Sequence, residues 1–209
     1  MAFSVSTIIW NLKSRYYRWL RRFFVTKRIY QAEIRPFRRW LENQFSPNGR
    51  YLDLAAGSGD SLSLYPPHAQ VVALDLSLAM LHLLKSKFSV PVLQARGERL
   101  PFQPAVFSGI TAIGLIEYVP LLEMLFAELH RILLPHGWLA VTFSQPNVLN
   151  ILRNFTGNRV RFYTHRRLAQ VANHQGFEIV GWNKTLFQTQ VFLRKLPKKD
   201  QTSANHETF

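Results

Sequence analysis

The stretch Tyr51-Leu52-Asp53-Leu54-Ala55-Ala56-Gly57-Ser58-Gly59-Asp60 decides the fold. An apolar run ends in an acid and passes into a loop of the smallest side chains. Such a loop lets a ligand approach the backbone closely and presents N–H groups at the start of a following helix. It suits a nucleotide-like cofactor, although a tight strand-to-helix turn with no ligand satisfies the same pattern. Beyond it, Val71-Val72-Ala73-Leu74 ends at Asp75, 22 residues after Asp53. An acid at the carboxyl end of a second strand is placed to accept hydrogen bonds from a ribose diol, and it equally suits the helix start at Ser77. The dehydrogenase fingerprint G-x-G-x-x-G is not supplied by Ala55, Gly57 and Ser58-Gly59-Asp60, which disfavours a dinucleotide.

Working outward, short apolar runs alternate with helical patterns, the signature of βα units. Strands are expected near 50–54, 70–75, 90–95, 107–112 and 138–143, with helices over 77–88 and 121–133 between them. Thr164 reads as the N-cap of a helix running to His174 and closed by Gly176. Runs 177–182 and 185–194 are close enough in sequence to form a hairpin. The expected fold is therefore α/β: a doubly wound, Rossmann-like, seven-stranded sheet whose last strand is antiparallel, preceded by a helical extension.

The 209 residues, 47% of them hydrophobic, suffice for one core, and the absence of cysteine excludes disulfides, thiolate metal sites and cysteine nucleophiles. No histidine spacing suggests a metal. The net charge of +14 is uneven: residues 1–45 hold ten Lys/Arg against two Glu, 46–149 six against seven acids, and 150–209 ten against three. The chain divides on this basis into a basic amphipathic extension (1–45), a folded domain (46–195) and a polar tail (196–209) expected to be disordered.

Several stretches together resemble the class I S-adenosylmethionine-dependent methyltransferases, and in particular their quinone-methylating subgroup. The glycine loop Leu52 to Gly59, the strand end Ala73-Leu74-Asp75-Leu76-Ser77 with Met80-Leu81, the stretch Glu98-Arg99-Leu100-Pro101-Phe102, the run Ile116-Glu117-Tyr118-Val119 and the segment Glu128 to Leu139 stand in the family's order. The resemblance implies S-adenosylmethionine as cofactor. It implies that Ala55, Gly57 and Gly59 pass the methionine part, Asp53 orients the loop, Asp75 holds the ribose, Leu76 packs on adenine, and Gly97 and Glu98 flank the adenine amino group. Two positions depart from the pattern. Arg96 stands where the family has an acid, and Ser108 where it has Asp. Arginine cannot accept a hydrogen bond, so Arg96 either stacks on the ring or turns to solvent and leaves the Gly97 N–H to serve.

On the acceptor side the candidates are Glu117, Tyr118, Asn147, Tyr163 and His165. Glu117 or His165 could deprotonate a phenolic hydroxyl; helix-start, packing or surface roles are the plainer alternative for each. At the amino end, Val5, Ile8, Ile9, Leu12, Tyr16, Trp19, Leu20 and Phe23 fall on one helical arc, with Arg15, Arg18, Arg21 and Arg22 opposite. The uncharged opening is too short to span a bilayer, and the pattern of a signal peptide is absent. Three readings fit: residues 1–30 lie in an anionic membrane surface, they hold nucleic acid, or they pack as a lid over the cofactor. Aromatic content favours the first. The expected function is methyl transfer to a small lipophilic acceptor, a quinol or isoprenoid phenol, on the cytoplasmic side of a membrane. An RNA methyltransferase and a catalytically silent membrane-bound scaffold are the alternatives. A short helix, 37–44, is expected to start at Pro36.

Overall fold

The computed structural model describes residues 24–144, 161–186 and 188–197. The arc over residues 1–23, Asn147 and the tail beyond 197 lie outside the described residues. Seven strands, β1 (Arg50–Leu54), β2 (Gln70–Asp75), β3 (Val92–Gln94), β4 (Phe107–Ala112), β5 (Leu133–Ser144), β6 (Phe177–Lys184) and β7 (Gln188–Lys195), form one sheet in the order β3-β2-β1-β4-β5-β7-β6. Strands β1 to β5 pair in parallel, and β7 runs antiparallel to both neighbours. Among the described residues four α-helices accompany them: α1 (Phe24–Leu41), α2 (Leu78–Lys85), α3 (Leu122–Ile132) and α4 (His165–His174). The strand order reverses between β1 and β4. At such a switch point the connections leave the sheet in opposite directions and open a crevice at the carboxyl ends.

Both faces of the sheet are covered, as the near-continuous apolar strands require. On one face Leu125, Phe126 and Leu129 of α3 and Leu168 and Val171 of α4 bury Leu52, Leu54, Ile110, Leu139 and Val141. On the other, Ile34, Phe37 and Leu41 of α1 cover Tyr51, Trp138, Ala140 and Phe192. Strand alternation sends successive residues of β1 and β5 to opposite faces, which is why Tyr51 and Leu52, or Trp138 and Leu139, fall in different halves of the core.

Four elements differ from the sequence pattern. Helix α1 runs through Pro36 instead of starting there. Proline removes one helical hydrogen bond and crowds the preceding turn, and the burial of Ile34, Phe37 and Leu41 on both sides of it outweighs that cost. After the glycine loop there is no α-helix but a five-residue 3₁₀ turn, Asp60–Leu64, because Pro66-Pro67 ends the segment. Strand β5 begins at Leu133, where α3 was expected to finish, and β3 shrinks to three residues.

Candidate active site

The crevice floor is the loop from Leu54 to Asp60. Ala55, Gly57 and Gly59 all have positive φ (60°, 54° and 85°), so the chain turns sharply twice within five residues. A side chain at Gly59 would meet the Phe88 ring at 2.9 Å, whereas one at Gly57 would meet nothing within 4 Å. Gly59 is thus packed from behind and Gly57 is bare toward the crevice. Across the switch point Gly114, after β4, is equally bare. The Ala56 N–H donates to the Leu74 carbonyl at 3.0 Å, and Lys87 Nζ donates to the Ser58 carbonyl at 3.3 Å, tying the loop to β2 and to the end of α2.

Asp75 accepts from the Gly57 N–H and from the Ser77 N–H, each at 2.8 Å. One carboxylate therefore joins the end of β2, the glycine loop and the start of α2. Burial raises its pKa above the usual carboxylate value, opposed by these backbone donors. The structure brings Ala55, Gly57, Gly59 and Asp75 together as expected, with Leu76 next in line and half-buried.

Asp53 lies beneath the loop and is 1% exposed. Ser61 Oγ donates to its Oδ2 at 2.5 Å and Thr111 Oγ1 to its Oδ1 at 2.8 Å. The Tyr65 hydroxyl stands 2.7 Å from Thr111 Oγ1. Thr111 has one hydroxyl proton, directed at Asp53, so Tyr65 is the donor in that pair. Burial pushes Asp53 up to about 6 from an ordinary 3.8; the two hydroxyls pull it down, and the nearby Asp75 charge adds to the rise. Sequence reading missed Ser61, Tyr65 and Thr111, because hydroxyl residues scattered along a chain carry no motif.

Gly97 and Glu98 lie in the connection from β3 to β4, which contains no helix. A Cβ at Gly97 would come within 2.9 Å of Leu125, so this connection packs directly on α3. Glu128 accepts from the Leu100 N–H at 2.7 Å, while Arg131 donates to the Phe102 and Leu100 carbonyls at 2.7 and 2.9 Å and pairs with Glu128 at 2.7 Å. Arg131 holds the Glu128 carboxyl below its usual range. Two stretches read separately in the sequence, Glu98 to Phe102 and Glu128 to Arg131, are thus one structural unit. Arg96 is exposed.

On the acceptor side, Glu117 sits on the 3₁₀ turn Ile116–Tyr118, 2% exposed, and Ser144 Oγ at the end of β5 donates to its Oε1 at 2.6 Å. The Arg161 N–H donates to the Glu117 carbonyl at 2.9 Å, and the Tyr163 hydroxyl to the Val119 carbonyl at the same distance. Burial raises the Tyr163 pKa. His165 opens α4 behind the Thr164 cap, with its ring 5.0 Å from that of Trp182. Glu117 and Tyr163 therefore share the turn after β4, while His165 faces β6. Among the described residues no group of His, Asp or Glu could hold a metal, and no helix is long and apolar enough to cross a membrane.

Residues 52–141 match the family model described as a methyltransferase domain. The chain is similar to the malonyl-[acyl-carrier protein] O-methyltransferase of Legionella pneumophila (33% identity; 59% of this chain, 46% of that protein). It is similar also to a ubiquinone/menaquinone biosynthesis C-methyltransferase of Desulfotalea psychrophila (32%; 55% and 48%). It spans about half the length of these curated relatives. Among solved structures, an S-adenosylmethionine-dependent methyltransferase of Thermotoga maritima superposes with a TM-score of 0.71 at 19% identity, covering 90% of this chain and 100% of that one. The geranyl diphosphate C-methyltransferase of Streptomyces coelicolor gives 0.65 at 14%, covering 77% and 78%. These two show the fold. A bare glycine backbone beside a strand-end carboxylate fits S-adenosylmethionine, the cofactor of the family. Sheet order, glycine loop and the match over residues 52–141 together show a methyltransferase domain with the fold of the S-adenosylmethionine-dependent methyltransferases.

Proposed function

We propose that this protein transfers a methyl group from S-adenosylmethionine to a small lipophilic acceptor, a quinol or isoprenoid phenol, at the cytoplasmic surface of an anionic membrane. The observation that carries this reading is an apolar rim. Trp182 and Leu186 are 57% and 72% exposed beside the carboxyl end of β6, the sheet edge that also holds the crevice. Helix α1 is fastened to this edge, since Glu33 accepts from Thr185 Oγ1 and from the Leu186 N–H. The aromatic and basic stretch of residues 1–23 precedes α1 in the sequence. Two relatives named as ubiquinone/menaquinone C-methyltransferases support a quinol acceptor.

When bound, the cofactor would supply an electrophilic methyl group: the acceptor bonds to its carbon as the carbon–sulfur bond breaks, and S-adenosylhomocysteine leaves with the bonding pair. Ala55, Gly57 and Gly59 would hold its methionine part, Asp75 and Leu76 its ribose and adenine, with Gly97 and Glu98 as further cofactor-binding residues. Asp53 holds the loop in shape from beneath. Glu117 takes the proton of the acceptor hydroxyl, and Ser144 keeps its carboxylate aimed. His165 is the second candidate base.

Labelled methyl transfer tests the reading: the protein is incubated with methyl-labelled cofactor and a prenylated hydroquinone in phosphatidylglycerol vesicles, with malonyl-acyl carrier protein and transfer RNA as competing acceptors. Label in the hydroquinone supports it; label in either competitor alone replaces it. Titration with S-adenosylhomocysteine separates a silent scaffold, which gives no heat. Asp75→Ala should weaken that binding by about 1.5–3 kcal/mol, through loss of charge-assisted hydrogen bonds.

A further inference from the structure

We propose that the groove between α1 and β6 binds a phosphate ester, with Arg35 and Arg39 holding the phosphate and Trp40, backed by Phe192, packing against the body of the ligand. The groove has a volume of about 500 Å³ and is lined by Arg35, Pro36, Arg39, Trp40, Asn43, Asn183 and Phe192. That lies within the range of small-molecule sites. It does not rest on the acceptor reading above. Glu33, midway along α1, ties the helix to the carboxyl edge of the sheet, while Trp138 Nε1 donates to the Gln44 carbonyl beyond its carboxyl end. Residues 35–43 therefore run along the flank of the sheet, away from the glycine loop.

Arg35, Arg39 and Asn43 are spaced by four, so they form one row along the helix, and all three are exposed. Neither arginine makes an ion pair among the described residues: Glu33, two positions before Arg35, is turned inward onto Thr185 and Leu186. Two guanidinium groups without a counter-charge match the geometry of a phosphate, which offers several oxygens to planar forks.

The floor is aromatic. Trp40 and Phe192 stack at 4.5 Å with their rings 15° apart. Gly181 pairs with Phe192 across the β6–β7 ladder, and a Cβ there would lie 3.6 Å from that ring. A larger residue at 181 would extend past that ring edge into the groove. Two positions on, Asn183 brings an amide to the same side, its Nδ2 3.5 Å from Gln190 Oε1 and so only weakly engaged. A cationic pair, two amides and the half-buried Trp40 ring suit a phosphate joined to a flat or apolar body. A lipid headgroup and a soluble phosphate ester share that chemistry.

Phenyl phosphate and phosphatidylglycerol vesicles are the probes, titrated into the full-length protein. Two variants are compared with it: Arg35→Gln with Arg39→Gln, which removes the charge, and Gly181→Leu, which fills the groove and keeps the charge. Phenyl phosphate affinity should fall about tenfold or more in both, while S-adenosylhomocysteine affinity and the unfolding temperature are unchanged. If vesicle binding falls in parallel, the source is a lipid; if it does not, the source is soluble. No phenyl phosphate binding by the unmodified protein overturns the proposal, as does binding retained in Gly181→Leu, which would reduce the effect to diffuse charge. A single-stranded RNA that binds in place of phenyl phosphate and is lost in both variants also overturns it, in favour of a nucleic-acid surface. Failure of hydroquinone methylation bears only on the acceptor reading.

Discussion

Asp53 and Trp182 stand beside the carboxyl edge of the same sheet and are held in opposite ways. Asp53 is 1% exposed and receives hydroxyls from the turn after β1 and from β4. Trp182 is 57% exposed, and its ring meets that of His165 on α4. The cofactor side is over-determined, because each turn of the glycine loop is fixed from behind. Around the proposed acceptor site, Ser144, Arg161 and Tyr163 bond to the turn after β4, and apolar side chains stand exposed at the sheet edge. A site for one fixed cofactor can be packed to its final shape, whereas a site for a lipophilic acceptor must keep an apolar opening.

The strongest way to break this contrast is to add one methyl group on either side of the glycine loop. Gly59→Ala combines a φ of 85° with a Cβ 2.9 Å from Phe88, and should lower unfolding stability by about 2–4 kcal/mol. Gly57→Ala has a φ of 54° and open space. It should cost about 1 kcal/mol of stability and yet weaken S-adenosylhomocysteine binding by about 3 kcal/mol or more, as a steric clash with bound ligand does. Calorimetry and urea unfolding on the two variants check both numbers. Equal effects in the two would mean that the bare backbone at Gly57 does not face the cofactor.

Next in size is the pH dependence of Asp53. Its pKa is about 6 in the folded protein against 3.8 ordinarily. A raised carboxyl pKa means that the folded state holds more protons than the unfolded state between these values. Stability should therefore be greatest below pH 4 as far as this group is concerned, fall by about 2–3 kcal/mol as pH rises to 6, and level off above it. Asp53→Asn should remove that slope from urea unfolding measured at pH 4.5, 5.5 and 7. A slope unchanged in Asp53→Asn would assign it to other carboxyls, Asp75 first, since burial raises that group as well.

How much of this was readable beforehand follows the same division. The strands β1, β2 and β4 coincide with their apolar runs, and Thr164 caps α4 as its position indicated. Glycine spacing and a strand-end acid located Asp75 because those constraints are local. The hydroxyl chain was not legible: Thr111 is on another strand, and only the β1–β4 pairing sets it against Asp53. The staple from Arg131 to the loop at Leu100 and Phe102 likewise exists only after α3 has docked. The 3₁₀ turn after the glycine loop was not legible in the loop pattern, which pointed to a following helix although Pro66-Pro67 leaves few residues for one. Helix α1 passing through Pro36 was not, because propensity is overridden there by burial of Phe37 and Leu41.

A smaller effect tests whether α1 belongs to the folded body. Glu33 is 9% exposed; it takes hydrogen bonds from Thr185 Oγ1 and the Leu186 N–H, and its carbonyl takes one from Gln190 Nε2. Glu33→Ala leaves the first two donors unpaired by this carboxylate and should lower stability by about 1–2 kcal/mol with cofactor affinity unchanged. A loss below about 0.3 kcal/mol would make α1 an appendage resting on the sheet rather than a part of it.

The smallest effect on folding, and the sharpest on the contrast, is expected at the rim. Trp182→Ala with Leu186→Ala removes side chains that are mostly exposed, so unfolding stability should change by less than about 0.5 kcal/mol. S-adenosylhomocysteine binding should also be unaffected, because neither residue borders the glycine loop. If the rim enters a bilayer, these two side chains contribute apolar area that water covers in the free protein, about 2 kcal/mol together by area. Partition into phosphatidylglycerol vesicles should then fall by tenfold or more, and the loss should persist at high salt because it is not electrostatic. Charge-driven binding through the basic arc would behave in the opposite way: salt would abolish it and the double substitution would leave it intact. Flotation of both proteins at low and high salt separates the two terms, and an unchanged partition at both would remove the apolar rim as support for a membrane-borne acceptor.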